Sequence, residues 1–592
     1  MSAPEAVLDR FQPRIAAWFR QRHGEPTDIQ ALAWPRILGG ENLLATAPTG
    51  SGKTLCAFLV PLDHLLSGRW EGGRVRVLYV SPLKALNNDV RRNLLEPLAE
   101  LRQRFEAAGE TAPQVRVATR SGDTSPEERR RMLRDPPEIL ITTPESLNIL
   151  LTSIGGRAML GDLRMVILDE IHAVAGSRRG LWLMNGVEGL VEIAGEFQRV
   201  ALSATVRPLE DVARLVGGCA PDARGRPAAG PRPVACLSSA IEKRLELRVR
   251  ALPPDPLPGD GGLDALTPIA REVVAATRRN RSTLVFANSR ARCEKLALRI
   301  NSEAGAAAGA TAGATTETAA LNEPQAADGR DGTTGEPLAF AHHGSLSREI
   351  RLQVEDRLRS GRLRALVATS TLEMGIDIGD LDEVLMVQTP PSIAATIQRA
   401  GRAGHGVGEI SRAVLHPTHP QDVLEAAAVT RAALAGDIEA TRIPGPCLDV
   451  LAQMIITRLA VSPRDADALF DAVRCVAPYR DLDRTHFDAV LAMLLGRHAD
   501  RHIREVNARL LEDPVSGTLS LRRGTLLALY AGGGMITDRG YYQLRHAETG
   551  ARIGELDEEF VWENGPGSAF TFGSQQWRVQ RVTHNDVLVV PA

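Results

Sequence analysis

Lysine is nearly missing from this chain. Of its 70 basic residues, only Lys53, Lys84, Lys243 and Lys295 are Lys and the rest are Arg, so each remaining Lys stands out. No sign of charge dominates either: 72 acidic residues leave a formal net charge of −2, which excludes polybasic binding but not local basic tracks. The six cysteines (56, 219, 236, 293, 447 and 475) are never closer than 17 residues, which excludes a CxxC redox pair, a zinc or iron–sulfur spacing and a disulfide framework. No run of 18 apolar residues exists. The best candidate, Leu55 to Leu66, is broken by Pro61, Asp63 and His64. The opening MSAPEAVLDRF has no charged-then-apolar signal pattern. These absences predict a soluble, intracellular protein, cytoplasmic and without a membrane partner.

What is present is ordinary globular composition, 44% apolar and 24% charged, over 592 residues. At roughly 100–200 residues per domain, that length predicts three or four domains. Short apolar runs at 42–46, 76–81, 139–142, 165–168 and 199–203 read as buried parallel strands, each followed by a turn and a helical stretch. A doubly wound α/β domain over 1–235 follows. The Pro-, Gly- and Ala-rich stretch 221–236 marks its boundary. Runs at 282–287, 338–342, 364–368 and 383–388 build a second α/β domain over 236–437. Residues 304–337 interrupt it with Ala, Gly, Thr and acids, without an aromatic, Val or Ile, and are expected to be a disordered surface insertion. From 438 to 525 the pattern is a small helical domain with a β wing. Strand-like alternation then runs from 526 to 592, with NGPG at 564–567 as a hairpin turn.

Two short segments carry chemistry. APTGSGKT (47–54) follows a strand and opens a helix, the pattern of a phosphate-binding loop with Ala in place of its first Gly. Gly50 and Gly52 let backbone N–H groups face phosphates beside Thr49 and Ser51, Lys53 reaches the β- and γ-phosphates, and Thr54 ligates Mg²⁺. In MVILDEIH (165–172), four apolar residues deliver Asp169 and Glu170 to a strand end. Phosphoryl chemistry needs one carboxylate for Mg²⁺, here Asp169, and one to orient and deprotonate water, here Glu170. ATP and Mg²⁺ are the expected cofactors.

With SAT (203–205) and QRAGRAGH (398–405), these segments resemble superfamily 2 DExH-box helicases. DEIHAVAGSRRG, HHGSLSRE and QRAGRAGH together resemble the large helicase-related (Lhr) family, over about 26–592 without the insertion. The resemblance implies two RecA-like domains, a winged-helix domain and the start of a β-rich, barrel-like domain. It implies Thr27 and Gln30 of PTDIQ as adenine contacts, Asp377 with Gly375 at the ribose, and Gln398, Arg399 and Arg402 acting on water and γ-phosphate. Many relatives have Arg where His405 stands, so more is expected of Arg402. Ser203 and Thr205 would couple hydrolysis to the nucleic acid. Strand contacts would come from Ser81, Pro82, Lys84, Arg120, Thr143, Pro144, Ser289, Arg290, His343, Ser345 and Thr369. Trp577 is weighed between base stacking and a core position. His172, His342 and His343 lack spaced Cys or Asp partners and read as hydrogen-bonding residues, not metal ligands.

The function so implied is an ATP-driven translocase, 3′ to 5′ on single-stranded DNA, that unwinds DNA or RNA–DNA duplexes. Two rivals stay open: an RNA-dependent local unwinder of DEAD-box type, and an ATP-switched nucleic-acid binder that does not unwind. A nuclease subunit finds no carboxylate–Lys constellation. Family members continue past the position matching Ala592, so the chain is expected to be truncated or split, with a companion polypeptide supplying the rest.

Overall fold

The computed structural model describes residues 7–48, 50–82, 84–110, 112–223, 225–241, 243–256, 263–309, 337–344, 346, 348–373, 381–404, 410–497, 507–531, 541–557, 561, 565–572, 575–583 and 586–592. Most of the insertion read at 304–337 lies outside them. The helix Arg290–Gly309 runs into its first residues. The chain forms two units: residues 1–242 with 440–537, and 243–439 with 538–592.

The first unit is built on a seven-stranded sheet in the order Val117–Arg120, Ile139–Thr142, Val77–Val80, Met165–Leu168, Gln198–Ser203, Leu43–Thr46 and Ala235–Ser238. Every neighbouring pair is parallel. Both faces are covered by helices, which is why these strands are apolar without alternation. Successive side chains serve opposite cores: Leu78, Val80, Val166 and Leu168 on one face, Val77, Tyr79, Met165 and Ile167 on the other. The boundary expected at 235 falls inside this sheet, because Ala235–Ser238 pairs with Leu43–Thr46 as its last strand. The preceding Pro- and Gly-rich stretch folds as an antiparallel pair, Cys219–Pro221 with Pro227–Pro231.

Helices Leu448–Leu459, Ala466–Arg474 and Arg484–Leu494 and the antiparallel wing Leu510–Glu512/Leu519–Leu521 belong to the same unit. Leu451, Met454, Ile455, Leu469, Tyr479 and Phe487 join the core of the first sheet. The winged helix thus packs onto the first α/β domain.

The second unit holds a six-stranded parallel sheet: Arg244–Val249, Ile410–His416, Glu383–Val387, Thr283–Ala287, Ala365–Ala368 and Ala339–His342. Its C-terminal part is a five-stranded sheet in the order Arg552–Asp557, Tyr541–His546, Asp586–Pro591, Gln575–Val582 and Ala569–Phe572. Arg552–Asp557 and Ala569–Phe572 stand at opposite edges, so NGPG does not close the hairpin expected there. Phe572 pairs instead with Gln575, in the antiparallel pair Ala569–Phe572/Gln575–Val582.

Candidate nucleotide site and strand-end motifs

In a parallel sheet all strands end on one edge, and ligands gather there. Thr46 is in register with Ser203, and Val80 with both Leu168 and Thr142. The residues that follow, Ala47, Ser81, Thr143 and Asp169, therefore leave the sheet side by side with Ser203.

The phosphate loop turns through Gly50 and Gly52 at φ 81° and 77°. A Cβ on Gly52 would also come within 2.6 Å of the Gln30 amide nitrogen and displace it, so Gly suits both the φ and the contact. Ser51 Oγ donates to Pro48 O (2.7 Å). Lys53 Nζ crosses the loop, donating to Ala47 O (2.7 Å) and Pro48 O (2.8 Å). Thr54 is half-buried in the first turn of the helix Lys53–Leu66. Thr27 and Gln30, expected at adenine, brace the loop here: Thr27 Oγ1 donates to Ser51 O and Gln30 Nε2 to Gly52 O, while Gln30 Oε1 accepts from Thr27 N–H. Thr49, Gly375 and Asp377 lie outside the described residues.

Asp169 and Glu170 are both buried. Tyr79 Oη donates to Asp169 Oδ2, and the Glu170 N–H donates to Asp169 Oδ1 at 2.8 Å. Burial, then the charge of Glu170, pushes Asp169 up to about 6, against the Tyr79 hydrogen bond, the Glu170 N–H and Lys53. Two adjacent buried carboxylates suit a divalent cation, so this donor set fits Mg²⁺ with Thr54 as partner. Glu170 leaves the strand at φ 48°, a left-handed conformation that turns it sharply.

His172 joins this acid pair to SAT. Its Nδ1 accepts from the Ala204 N–H (3.2 Å) and stands 3.3 Å from Ser203 Oγ and 3.4 Å from Glu170 Oε2. Burial, then Lys53, lowers its pKa to about 4, with Asp169 opposing, so the ring is neutral and the Glu170 contact is not an ion pair. Ser203 thus stands beside the acid pair with His172 between them, whereas Thr205 is exposed. Sequence reasoning missed Tyr79, which looked like one more apolar position in a buried strand, and gave His172 no partner.

Among the expected strand contacts in this unit, Ser81, Pro82, Thr143 and Pro144 are buried. Thr143 Oγ1 caps the helix Pro144–Leu151 by accepting from the Ser146 N–H, and Pro144 opens that helix. Arg120 is half-buried, and burial with Arg129 nearby lowers its pKa. Lys84 begins the helix Lys84–Ala107.

In the second unit, Ser289 is exposed and its Oγ accepts from the Arg292 N–H, while Arg290 and Thr369 are half-buried. His343 needs correction: it is fully buried, Nε2 lies 2.8 Å from Glu294 Oε1, and its ring meets Phe572 edge-on at 5.5 Å. The ring, enclosed and committed to Glu294, serves the core of this unit in place of a strand contact. Trp577 is likewise a core residue, 7% exposed among Phe570, Phe572 and Val589, with its indole N–H donating to Phe572 O. Its base-stacking reading is withdrawn. His342 bonds to Glu355 and Thr371. Ser345 and His405 lie outside the described residues.

Gln398 is half-buried. Arg399 is 2% exposed, held by Glu373 (Nε 2.7 Å, Nη2 2.6 Å) and Asn288 Oδ1 (2.8 Å) over the ring of Phe286. This geometry makes Arg399 a brace of its own domain, in place of the finger expected from the motif. Arg402, also 2% exposed, donates to the Glu373 carbonyl.

Two parallel α/β domains, the first with a phosphate loop beside a strand-ending acid pair, define a helicase-type ATPase core. Residues 27–212 match the DEAD/DEAH box helicase family, 335–406 the helicase conserved C-terminal domain, and 431–592 the winged helix domain of large helicase-related protein. The chain is 44% identical over 596 residues to the Lhr helicase/probable uracil glycosylase of Mycolicibacterium smegmatis, covering 99% of this chain and 38% of that protein. It is 34% identical to the ATP-dependent helicase Lhr-Core protein 2 of Thermococcus barophilus, covering 99% and 64%. The solved Mycobacterium smegmatis helicase Lhr bound to ssDNA and AMP-PNP superposes with a TM-score of 0.78 at 42% identity, over 90% of this chain and 63% of that one. The DUF1998 helicase MrfA shares the fold at 20% identity and a TM-score of 0.71, over 98% of this chain and 72% of that one. The chain belongs to the large helicase-related family of superfamily 2 helicases. It spans about two fifths of the M. smegmatis protein's length, and that relative carries the remainder in its own chain, which gives the companion polypeptide no support. Among the described residues no helix is long and apolar enough to cross a membrane.

Proposed function

We propose that the chain is a nucleic-acid-stimulated, Mg²⁺-dependent ATPase that translocates 3′ to 5′ on single-stranded DNA and unwinds DNA or RNA–DNA duplexes. The observation that carries this is the meeting of Lys53, Asp169, Glu170 and Ser203 on one sheet edge, with His172 bridging acid pair and SAT. Lys53 would turn from its loop carbonyls to the β- and γ-phosphates, and Glu170 would take the proton of the attacking water. Thr54 and Asp169 would hold Mg²⁺, which neutralises charge on the phosphates. The same loop would place Thr49, Gly50, Ser51 and Gly52 against phosphate, with Thr27 and Gln30 beside the base, and Gly375 and Asp377 at the ribose.

Arg402 and Gln398 are the proposed second-domain contributors to hydrolysis. Ser81, Pro82, Thr143, Pro144, Ser289, Ser345 and Thr369 would line the strand path by backbone and hydroxyl contacts that read no bases, and Lys84, Arg120 and Arg290 would add charge. The relative solved with ssDNA and AMP-PNP supports DNA as the strand. The domain boundaries at 437 and 525 and a cytoplasmic location, nucleoid-associated if the protein is bacterial, belong to the same reading.

The test is ATP hydrolysis without nucleic acid, with single-stranded DNA and with single-stranded RNA, beside Glu170→Gln. Stimulation by DNA that vanishes in the variant is expected, and stimulation by RNA alone would overturn the DNA assignment.

A further inference from the structure

The first unit contains a second polar site that uses none of the nucleotide or strand-end motifs. Where the helix Arg178–Ala194 meets the winged helix, a cavity of about 400 Å³ is lined by Arg157, Arg458, Arg464, Glu188, Glu192 and Cys475, among others. That volume is in the range of small-molecule sites.

Its charges are unevenly matched. Arg458 is 4% exposed and gives Nη1 to Glu192, while Arg464 takes the other oxygen of the same carboxylate at 2.6 Å. Arg458 Nε and Nη2 are buried with no acceptor. Arg157 pairs with no carboxylate among the described residues, and its nearness to Arg464 lowers its pKa after burial does. Behind the lining, Glu188 Oε1 already receives Arg199 (2.7 Å) and Arg232 (3.1 Å), and Arg232 also holds Glu196. Asp222, a further lining residue, is held by Arg226. Six guanidiniums therefore meet four carboxylates, an excess of positive charge around the cavity.

A buried guanidinium with two idle nitrogens, three N–H bonds between them, is a costly arrangement that oxygen acceptors would relieve. Burial and the neighbouring Arg464 already pull Arg458 down to about 10, and an anion would reverse that strain. Charge-assisted contacts from Arg favour planar or tetrahedral oxyanions. Glu188 adds a requirement, because its Oε2 is buried without a donor. The preferred ligand must present acceptors to the arginines and a hydroxyl or amine to Glu188. Water alone cannot neutralise the excess charge.

We propose that this cavity is a binding site for a phosphate ester bearing a nearby hydroxyl, clamped by Arg157, Arg458 and Arg464 with Glu188 as acceptor. Because the lining joins the helix Arg178–Ala194 to the helices Leu448–Leu459 and Ala466–Arg474, the ligand would bind the winged helix more firmly to the first α/β domain. The phosphate could come from a free sugar phosphate or from a nucleic-acid strand.

The experiment titrates ribose 5-phosphate, with ribose as the uncharged control, into the full chain by calorimetry. It is repeated in Lys53→Ala, Arg157→Gln and Arg157→Lys, each checked for native circular dichroism. Arg458 is left intact because its burial makes a folded variant hard to obtain. Expected are binding at least tenfold tighter than ribose, unchanged in Lys53→Ala, weakened about tenfold in Arg157→Gln and restored in part by Arg157→Lys. Displacement by a 5′-phosphorylated oligothymidylate would assign the phosphate to a strand, and failure to displace would assign it to a free ester; either keeps the site. Binding that is lost in Lys53→Ala, that ignores Arg157→Gln, or that is absent from the folded parent chain would overturn the proposal.

Discussion

At the scale of single residues, Glu170 occupies an expensive position. A non-glycine side chain at φ 48° costs on the order of 1 kcal/mol, and it is held there by its own N–H on Asp169. Glu170→Gln keeps the shape and removes the base. It should lower kcat roughly 10²–10⁴-fold while ATP still binds, read by steady-state hydrolysis and by equilibrium nucleotide titration. His172 makes a separate prediction about pH. Its folded pKa of about 4 lies below the unfolded 6.5, so the unfolded chain binds more protons between those values. Its contribution to stability is complete above pH 6.5 and is lost as pH falls toward 4, amounting to about 2 kcal/mol by pH 5. His172→Gln retains an acceptor for the Ala204 N–H and does not titrate. Denaturation midpoints measured from pH 7.5 to 5 should therefore fall less steeply in the variant than in the parent.

At the scale of elements, the winged helix is part of the first domain's core. Phe487 is fully buried and shares a continuous apolar cluster with Leu168, Val187 and Leu451. Phe487→Ala should cost about 3–5 kcal/mol and weaken nucleotide binding in the same denaturant transition, because its core is continuous with that of the first sheet. Two transitions, the second retaining nucleotide affinity, would contradict that continuity. Trp577→Ala should likewise destabilise the C-terminal sheet rather than selectively weaken strand binding. The same scale explains what the sequence made legible. Strands such as Met165–Leu168 are buried on both faces and so announce themselves as apolar runs. Val117–Arg120 is a half-buried edge strand, VATR, and Ala235–Ser238 follows a Pro- and Gly-rich stretch, so neither carries that mark. In the site, Lys53 and the acid pair were readable because their geometry follows from adjacent residues. Tyr79 touches Asp169 across 90 positions, and Arg399 is captured by Glu373 and Asn288, contacts that only the sheet order creates.

At the scale of the whole molecule, a net charge of −2 limits how a strand can be held. With the phosphates met mainly by amides and hydroxyls at strand ends, the proposed cationic contacts reduce to Lys84, Arg120 and Arg290. Counterion release per neutralised phosphate gives a slope of about −0.7 on a log–log plot for single strands, so three contacts give about −2. Affinity for an oligothymidylate, followed by fluorescence anisotropy, should then fall about 20-fold between 50 and 200 mM salt. Arg120→Gln should flatten the slope by about 0.7 and weaken binding without regard to sequence, because a phosphate contact carries no base information. A parent slope of −6 or steeper would mean that the many arginines form a continuous track along the strand. The neutral overall charge would then hide a strongly polarised surface, and the amide-and-hydroxyl path proposed for Ser81, Thr143, Ser289 and Thr369 would be secondary to it.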